Sequence, residues 1–279
     1  MTKDTASQMG DGNIEMNRLL DEITAIVSAA SVAILKIRAG SLETRTKADR
    51  SPVTAADEAA EAIILDGLAR VLPGVPVISE EAAERAPPVG PGPQFVLVDP
   101  LDGTRELIAG RDEFTVNVAL VTAGRPHLGV VAAPALGQIW RGFPDRGAER
   151  LRLTPDGITG AAEPIRTRVC PPTGLVATVS RSHLDTETQA FLARLPVGKT
   201  LNCGSAIKFC QVAEGRADVY PRFGTTCEWD IAAGQAVLTA AGGTVVSLDG
   251  TELPYGRAAA RFRVPGFIAW GDPAAAGRA

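Results

Sequence analysis

Histidine and cysteine are scarce: there are two histidines, and Cys170, Cys203, Cys210 and Cys227 form no C-x-x-C pair. That spacing argues against a zinc or disulfide framework, and scattered thiols suit a reducing cytosol. Basic charge is not in excess either. Lysine and arginine total 28 against 32 aspartates and glutamates, a net charge of −4. A general affinity for nucleic acid or acidic lipid is therefore not expected, and an anionic substrate would need local cations, from side chains or metal. No apolar run approaches the roughly 20 residues that cross a bilayer. The opening MTKDTASQMGDGN is polar and lacks the apolar core of a secretory signal. The expected location is the cytoplasm, with peripheral association with the inner membrane left open. Internal repeats, low-complexity tracts and a Gly-rich nucleotide signature are also missing. What is present is an ordinary globular balance, 45% hydrophobic and 22% charged over 279 residues, enough for one large domain or two intimate ones.

Residues 14–38 carry Leu19, Leu20, Ile23, Ile26, Val27, Ala30, Ile34 and Leu35 at helical spacing, which predicts a long amphipathic helix ending at Gly40. Residues 1–13 read as an extension without assigned function. A second helix is expected from about Thr54 to Val71, with Thr54 as N-cap and Asp57 at the capping-box position. A strand over 75–78 then delivers Ser79, Glu80 and Glu81, and 82–94 reads as a Pro/Gly-rich surface loop. Strands at 115–121, 127–134, 138–143 and 149–153, punctuated by glycine and proline, suggest a largely antiparallel sheet. The composition change at 154–174 is the best internal boundary, giving subdomains of about 14–155 and 156–279. Beyond it strands and helices mix: a strand at 175–180, a helix capped by Asp185, a Gly-bounded helix at 204–215, a strand at 217–220 and a helix begun by Asp230.

Chemistry concentrates in FVLVDPLDGTRE, residues 95–106. An apolar strand empties into Asp99 and Asp102, and Pro100 and Gly103 force a tight turn there. Two carboxylates three residues apart repel each other and favour a hard cation between them. Glu80 also follows an apolar strand, and Asp230 opens an apolar helix. Such acids gathered in one cleft would need cations, and an all-oxygen set points to Mg²⁺ or Mn²⁺. Divalent ions so held suit displacement at phosphorus by water. Thr104 could pass a proton to Asp57 if the second helix packs nearby; capping is the competing reading of Asp57. Glu81 reads as an outer or solvated acid.

The segment Asp99-Pro100-Leu101-Asp102-Gly103-Thr104, with Glu106, resembles the D-P-x-D-G-T signature of the lithium-sensitive, magnesium-dependent phosphatases. These include inositol monophosphatases and fructose bisphosphatases. Trp229-Asp230-Ile231-Ala232-Ala233-Gly234 is similar to their second signature. SPVTAAD at 51–57, ISEE at 78–81, EFTVNVAL at 113–120, SRSH at 180–183, GSAIKFCQVAEG at 204–215 and YPRFG extend the likeness to the bacterial 3′(2′),5′-bisphosphate nucleotidases. The resemblance covers about 14–270. It implies an α/β (α+β) fold, a layered αβαβα sandwich. It also implies hydrolysis of the 3′-phosphate of adenosine 3′,5′-bisphosphate to AMP, linked to sulfate assimilation, by two or three Mg²⁺ ions. Glu80, Asp99, Asp102, Asp230 and the Leu101 carbonyl become metal ligands, and Asp57 and Thr104 activate water.

For the substrate, the resemblance implies that Ser180, His183, Gly204 and Lys208 line the nucleotide site; Gly103, Thr104, Ser205 and Asp230 are further candidate contacts, and Arg222 a further cationic candidate. Physically, Gly204 and Ser205 at a helix start could offer backbone N–H groups to a phosphate, and Lys208 one turn along a point charge. A solvated lysine and a plain surface histidine are the competing readings of Lys208 and His183. Inositol monophosphatase or fructose 1,6-bisphosphatase activity is the alternative within the class. A metal- or nucleotide-binding protein without turnover is the alternative outside it. Partners are a small nucleotide and, at most, a second copy of the chain, as monomer or homodimer.

Overall fold

In the computed structural model, which describes residues 4–40, 44–46, 52–85, 90–181 and 184–277, the chain opens with helix α1 (Asp4–Arg38). The helix starts well before the expected residue 14, since propagation from a nucleated, packed helix costs little per added residue. Its inward stripe, Leu20, Ile23, Val27, Ala30 and Ile34, is fully buried. A small pair, β1 (Thr44–Thr46) and β2 (Pro52–Thr54), leads into α2 (Ala55–Val71). Ala56, Ala60, Ile64 and Leu68 recur every four residues on α2 and are fully buried. Strand β3 (Val77–Ser79) runs directly into the short helix α3 (Glu80–Arg85). The first part of the expected 82–94 loop is thus helical, and Glu80 and Glu81 start that helix rather than leaving a strand for solvent.

Next come β4 (Gln94–Asp102), the single-turn α4 (Thr104–Ile108), β5 (Thr115–Thr122), β6 (Arg125–Ala133), β7 (Gln138–Phe143), β8 (Gly147–Thr154) and β9 (Gly157–Ile165). Strands β3 to β9 form one sheet in sequential order, antiparallel except for the parallel β3–β4 edge. This sheet reaches Ile165, past the division expected near 155. Gly157, Gly160 and Pro164 made β9 resemble a linker, yet an edge strand tolerates such residues.

The second half contributes β10 (Leu175–Ser180), α5 (Thr186–Ala193), β11 (Val197–Cys203), α6 (Ile207–Ala213), β12 (Val219–Arg222), β13 (Thr226–Cys227), α7 (Glu228–Ala240), β14 (Thr244–Val246), β15 (Arg263–Val264) and β16 (Phe267–Trp270). Five strands make a mixed sheet in the order β11-β10-β12-β16-β14. Helix α6 is shorter than the expected 204–215, and α7 starts two residues before Asp230.

Burial defines the layers. Helices α1 and α2 cover one face of the first sheet over Val96, Val98, Val116, Val118 and Val130. The opposite face, Phe95, Leu97, Ala119, Val121 and Val131, joins α6, α7 and the inner face of the second sheet in one core. Glycine at 129 lets α7 approach, because a Cβ there would run into the Ala233 carbonyl. Phe191 of α5 covers the far face of the second sheet with Ala177, Val219, Ile268 and Trp270. The order is helices, sheet, helices, sheet, helix: the αβαβα sandwich. Among the described residues no helix is long and apolar enough to cross a membrane.

Candidate active site

The acids meet where the sheet and three helix starts converge. In β4 the register skips between Asp99 and Asp102, which pair with Asn117 and Thr115 of β5. Pro100 and Leu101 therefore bulge out of the ladder rather than closing a free turn, and the Leu101 N–H donates to Asp99 Oδ1 at 3.0 Å. The parallel β3 ends beside Val98, so Glu80 leaves at the same end of the sheet as Asp99. Asp230 comes from the distant half. It is not the N-cap but the third residue of α7, reaching back to the Cys227 N–H at 3.0 Å and to the Thr226 hydroxyl. Carboxylate oxygens of Glu80, Asp99 and Asp230 lie within 4.8 Å of one another.

Asp102 lines the adjoining cleft, about 290 Å³, with Glu80 and Asp230. Burial, then the charges of Glu80, Asp102 and Asp230, holds the Asp99 carboxyl well above the usual carboxylate range. Burial and Asp230 push Asp102 up to about 6, with Lys208 and Arg222 pulling the other way. Mutual repulsion among hard oxygen donors is the environment a divalent cation relieves. A second observation fits the same group. Among the described residues, Thr115 Oγ1 and both polar atoms of Asn117 are buried without a hydrogen-bond partner, directly across the ladder from Asp102 and Asp99. Polar atoms so placed suit a hydrated ion.

Helix α2 presents two acids one turn apart. Asp57 closes the capping box: its Oδ2 accepts the Thr54 N–H at 2.8 Å and the Thr54 hydroxyl at 2.7 Å. Its other oxygen, Oδ1, accepts the Thr104 hydroxyl at 2.9 Å. Capping and contact with Thr104 thus use different oxygens of one carboxylate. Thr104 Oγ1 also lies 3.2 Å from the Leu101 carbonyl, but the shorter, charge-assisted bond to Asp57 takes the single proton. Glu61, four residues further along, accepts the Ser79 hydroxyl and the Ala82 N–H, fixing the start of α3 and with it Glu80.

On the substrate side, Gly103, Thr104, Ser180, Gly204, Ser205, Lys208, Arg222 and Asp230 all lie on the cleft wall. His183 lies outside the described residues. Two physical readings change. The Gly204 N–H is not open to a phosphate, because Glu113 Oε2 accepts it at 3.0 Å. Lys208 is not a solvated lysine. It is 2% exposed, its Nζ donates to the Ser205 carbonyl at 2.6 Å, and it stands 5.1 Å from the Tyr220 ring centre. Glu81 is buried rather than solvated. Arg222 donates to the Gly224 and Thr225 carbonyls at the cleft edge. Glu61 and Glu113 were missed as site-organising residues. Charge at an inward-facing helical position beside Ala60 and Ile64, and charge immediately before the buried strand FTVNVAL, were the available signals.

Comparison with known proteins follows the same lines. The family described as "Inositol monophosphatase family" matches residues 18–269. The 3′(2′),5′-bisphosphate nucleotidase CysQ of Escherichia coli K12 is 41% identical over 239 residues, 85% of this chain and 94% of that protein. A histidinol-phosphatase of Mycobacterium tuberculosis is 34% identical over 235 residues, covering 81% of this chain and 86% of that protein. Among solved structures, CysQ from Bacteroides thetaiotaomicron superimposes with a TM-score of 0.74 at 34% identity, over 90% of this chain and 96% of that one.

Proposed function

The chain belongs to the inositol monophosphatase family, and from that premise we propose that it is a 3′(2′),5′-bisphosphate nucleotidase. It releases the 3′-phosphate of adenosine 3′,5′-bisphosphate, giving AMP and inorganic phosphate in sulfur metabolism. The observation that carries this reading is one cleft lined by Glu80, Asp102, Asp230 and Thr104 together with Lys208 and Arg222, with Asp57 bonded to Thr104 behind it. An acidic wall suits phosphoryl transfer with a cation, and a cationic wall suits a second anionic group on the same substrate.

The family is metal-dependent, and Mg²⁺ is the ion that fits this donor set. Glu80, Asp99, Asp102, Asp230 and the Leu101 carbonyl would hold it, as two or three ions. When bound, Mg²⁺ acidifies water and offsets charge on the phosphoryl group. The chain's own residues handle the proton. Thr104 Oγ1 accepts a hydrogen from the attacking water while giving its own to Asp57 Oδ1. The water oxygen forms the new P–O bond as the P–O3′ bond breaks, the departing oxygen takes a proton from a second water to become the 3′-hydroxyl, and the hydroxide so left takes back the proton held on Asp57. Gly103 and Thr104 line the cleft, and their backbone N–H groups would orient the phosphoryl oxygens.

The deciding assay measures phosphate release from adenosine 3′,5′-bisphosphate, inositol 1-phosphate, fructose 1,6-bisphosphate and histidinol phosphate, with Mg²⁺, with EDTA and with added Li⁺. The bisphosphate nucleotide is expected to be the best substrate, with activity lost in EDTA and depressed by Li⁺. Turnover that persists in EDTA would remove the metal mechanism. Preference for any other ester would replace the substrate and leave the mechanism standing.

The same acids give stability a pH dependence of known sign. Asp99 and Asp102 titrate above the ordinary value of 3.8 in the folded, metal-free chain. The folded state therefore holds protons that the unfolded chain has released, and stability is lost as pH rises through the folded values, about 6 for Asp102. Mg²⁺ binds the deprotonated set, so the rise in Tm on saturation with Mg²⁺ is expected to be larger at about pH 8 than at about pH 5. Thermal unfolding in EDTA and in Mg²⁺ across that range checks it; an increment independent of pH would count against the cluster.

A further inference from the structure

We propose that Glu113 is a positioning residue that bolts the substrate-facing loops of the second half onto the acid-bearing turn of the first, and so sets the preference for a nucleotide over a small phosphate ester. The proposal rests on the nucleotidase reading and assigns its selectivity to a residue outside the cleft.

Glu113 lies two residues before β5, and its side chain gathers two segments from the other half of the fold. Its carboxylate receives Arg181 in a two-pronged pair, Nε at 2.9 Å and Nη2 at 2.7 Å. The oxygen that meets Nε also accepts the Gly204 N–H at 3.0 Å. Arg181 follows Ser180 on the cleft rim and gives a further hydrogen bond to the Asn202 carbonyl at 3.2 Å. One carboxylate thus joins residues 180–181 to residues 202–204. A bidentate arginine pair fixes direction as well as distance, which a lone contact does not.

The main chain of Glu113 completes the bolt. Its carbonyl lies 3.0 Å from the Ser205 hydroxyl, which also reaches the Asp102 carbonyl at 2.9 Å. Ser205 sits at φ 52°, a left-handed conformation that a non-glycine residue keeps only when its surroundings hold it there. Its own carbonyl in turn accepts Lys208 Nζ at 2.6 Å. A Cβ at Gly204 would fall 2.5 Å from the Glu113 carbonyl oxygen, so the two segments are in closest packing. The chain of contacts runs from Glu113 to Gly204, Ser205 and Lys208. Ser180, Gly204, Ser205 and Lys208 line the cleft, and Glu113 does not. Its carboxylate therefore acts through them, on the part of the substrate that meets the second-half wall of the cleft.

Binding of what the substrate carries beyond the transferred phosphoryl group is what separates a nucleotide from a minimal ester. The test compares steady-state kinetics of wild type, Glu113→Ala, Arg181→Ala and the double variant on adenosine 3′,5′-bisphosphate and on phenyl phosphate, at saturating Mg²⁺. Glu113→Ala is expected to raise KM for the nucleotide by about 10-fold or more while kcat stays within about 3-fold. Its kcat/KM for phenyl phosphate should match wild type, and the double variant should be no worse than Glu113→Ala, since both ends of one bond are removed. Glu113→Gln, which keeps an acceptor for Gly204, should recover part of the KM and is the variant to read if Glu113→Ala does not fold. Equal losses on both substrates would make Glu113 a general structural residue and overturn the proposal, as would an unchanged KM. Wild type inactive on the nucleotide would instead overturn the nucleotidase reading. Wild type selective and Glu113→Ala equally selective would overturn only this inference.

Discussion

Replacing Asp102 by asparagine is expected to lower turnover about 1,000-fold or more, while leaving the metal-free protein at least as stable as wild type at neutral pH. The loss follows from the site's electrostatics. A bound cation contributes several kcal/mol of charge stabilisation, and each ~1.4 kcal/mol is tenfold in rate. Asp102 lines the cleft beside the cluster of Glu80, Asp99 and Asp230, where the charges of Asp230 and Lys208 both reach it, and the proposed mechanism makes it a fourth carboxylate for the cation. Asparagine keeps the shape and one acceptor but removes the charge. The neutral effect on stability follows from the same facts. Asp102 is held up to about 6 by burial and by Asp230, so its ionised form is disfavoured where it stands. Removing that charge relieves Asp99 and Asp230, and the Asp102 carbonyl still receives the Ser205 hydroxyl. Kinetics, Mg²⁺ titration calorimetry and thermal unfolding in EDTA check the three parts separately. Near-normal turnover would take Asp102 out of the site. A large fall in the metal-free Tm would mean that its role is structural.

Why the sequence draws attention to Asp102 and not to Glu113 is a matter of range. FVLVDPLDGTRE declares itself locally: an apolar strand cannot continue through Asp99-Pro100 without breaking its ladder, so the carboxylates must sit at a sheet end. Helix caps are equally local, which is why Thr54 and Asp57 were legible as a pair. What local reasoning could not resolve was how one carboxylate serves a cap and Thr104 together. The answer lies in its two oxygens, Oδ2 turned to the helix and Oδ1 to Thr104. At Asp230 the same logic was off by one role: the helix begins earlier, and the acid caps from its third position. The Gly204 amide was misread for a long-range reason, since its partner Glu113 is 91 residues away. Glu61 was passed over because a charged residue on a helix is ordinarily solvated. Only the approach of β3 shows that it faces Ser79. Layer order came from the family resemblance, and its physical cause, two sheets sharing the α6–α7 core, emerges only from burial.

The second large effect is expected at the proton relay. Thr104→Val should lower kcat about 100- to 10,000-fold, the range for loss of a positioned acid–base group, with Mg²⁺ affinity and Tm close to wild type. Valine fills the same volume, and Thr104 caps nothing: Gly103 occupies the N-cap position of α4 without a side chain to contribute. Thr104→Ser, which keeps the hydroxyl, should retain most of the rate. Asp57→Asn should reach a similar kcat but also lose stability. Its Oδ2 accepts both the Thr54 N–H and hydroxyl, and a helix cap is worth about 1 kcal/mol. The double variant separates relay from coincidence. If the water's proton passes from Thr104 to Asp57, removing either residue stops the transfer, and removing both costs little more in kcat than the worse single change. Losses that multiply would mean that the two side chains serve different steps. The 2.9 Å bond between them would then be only a packing contact at the foot of α2.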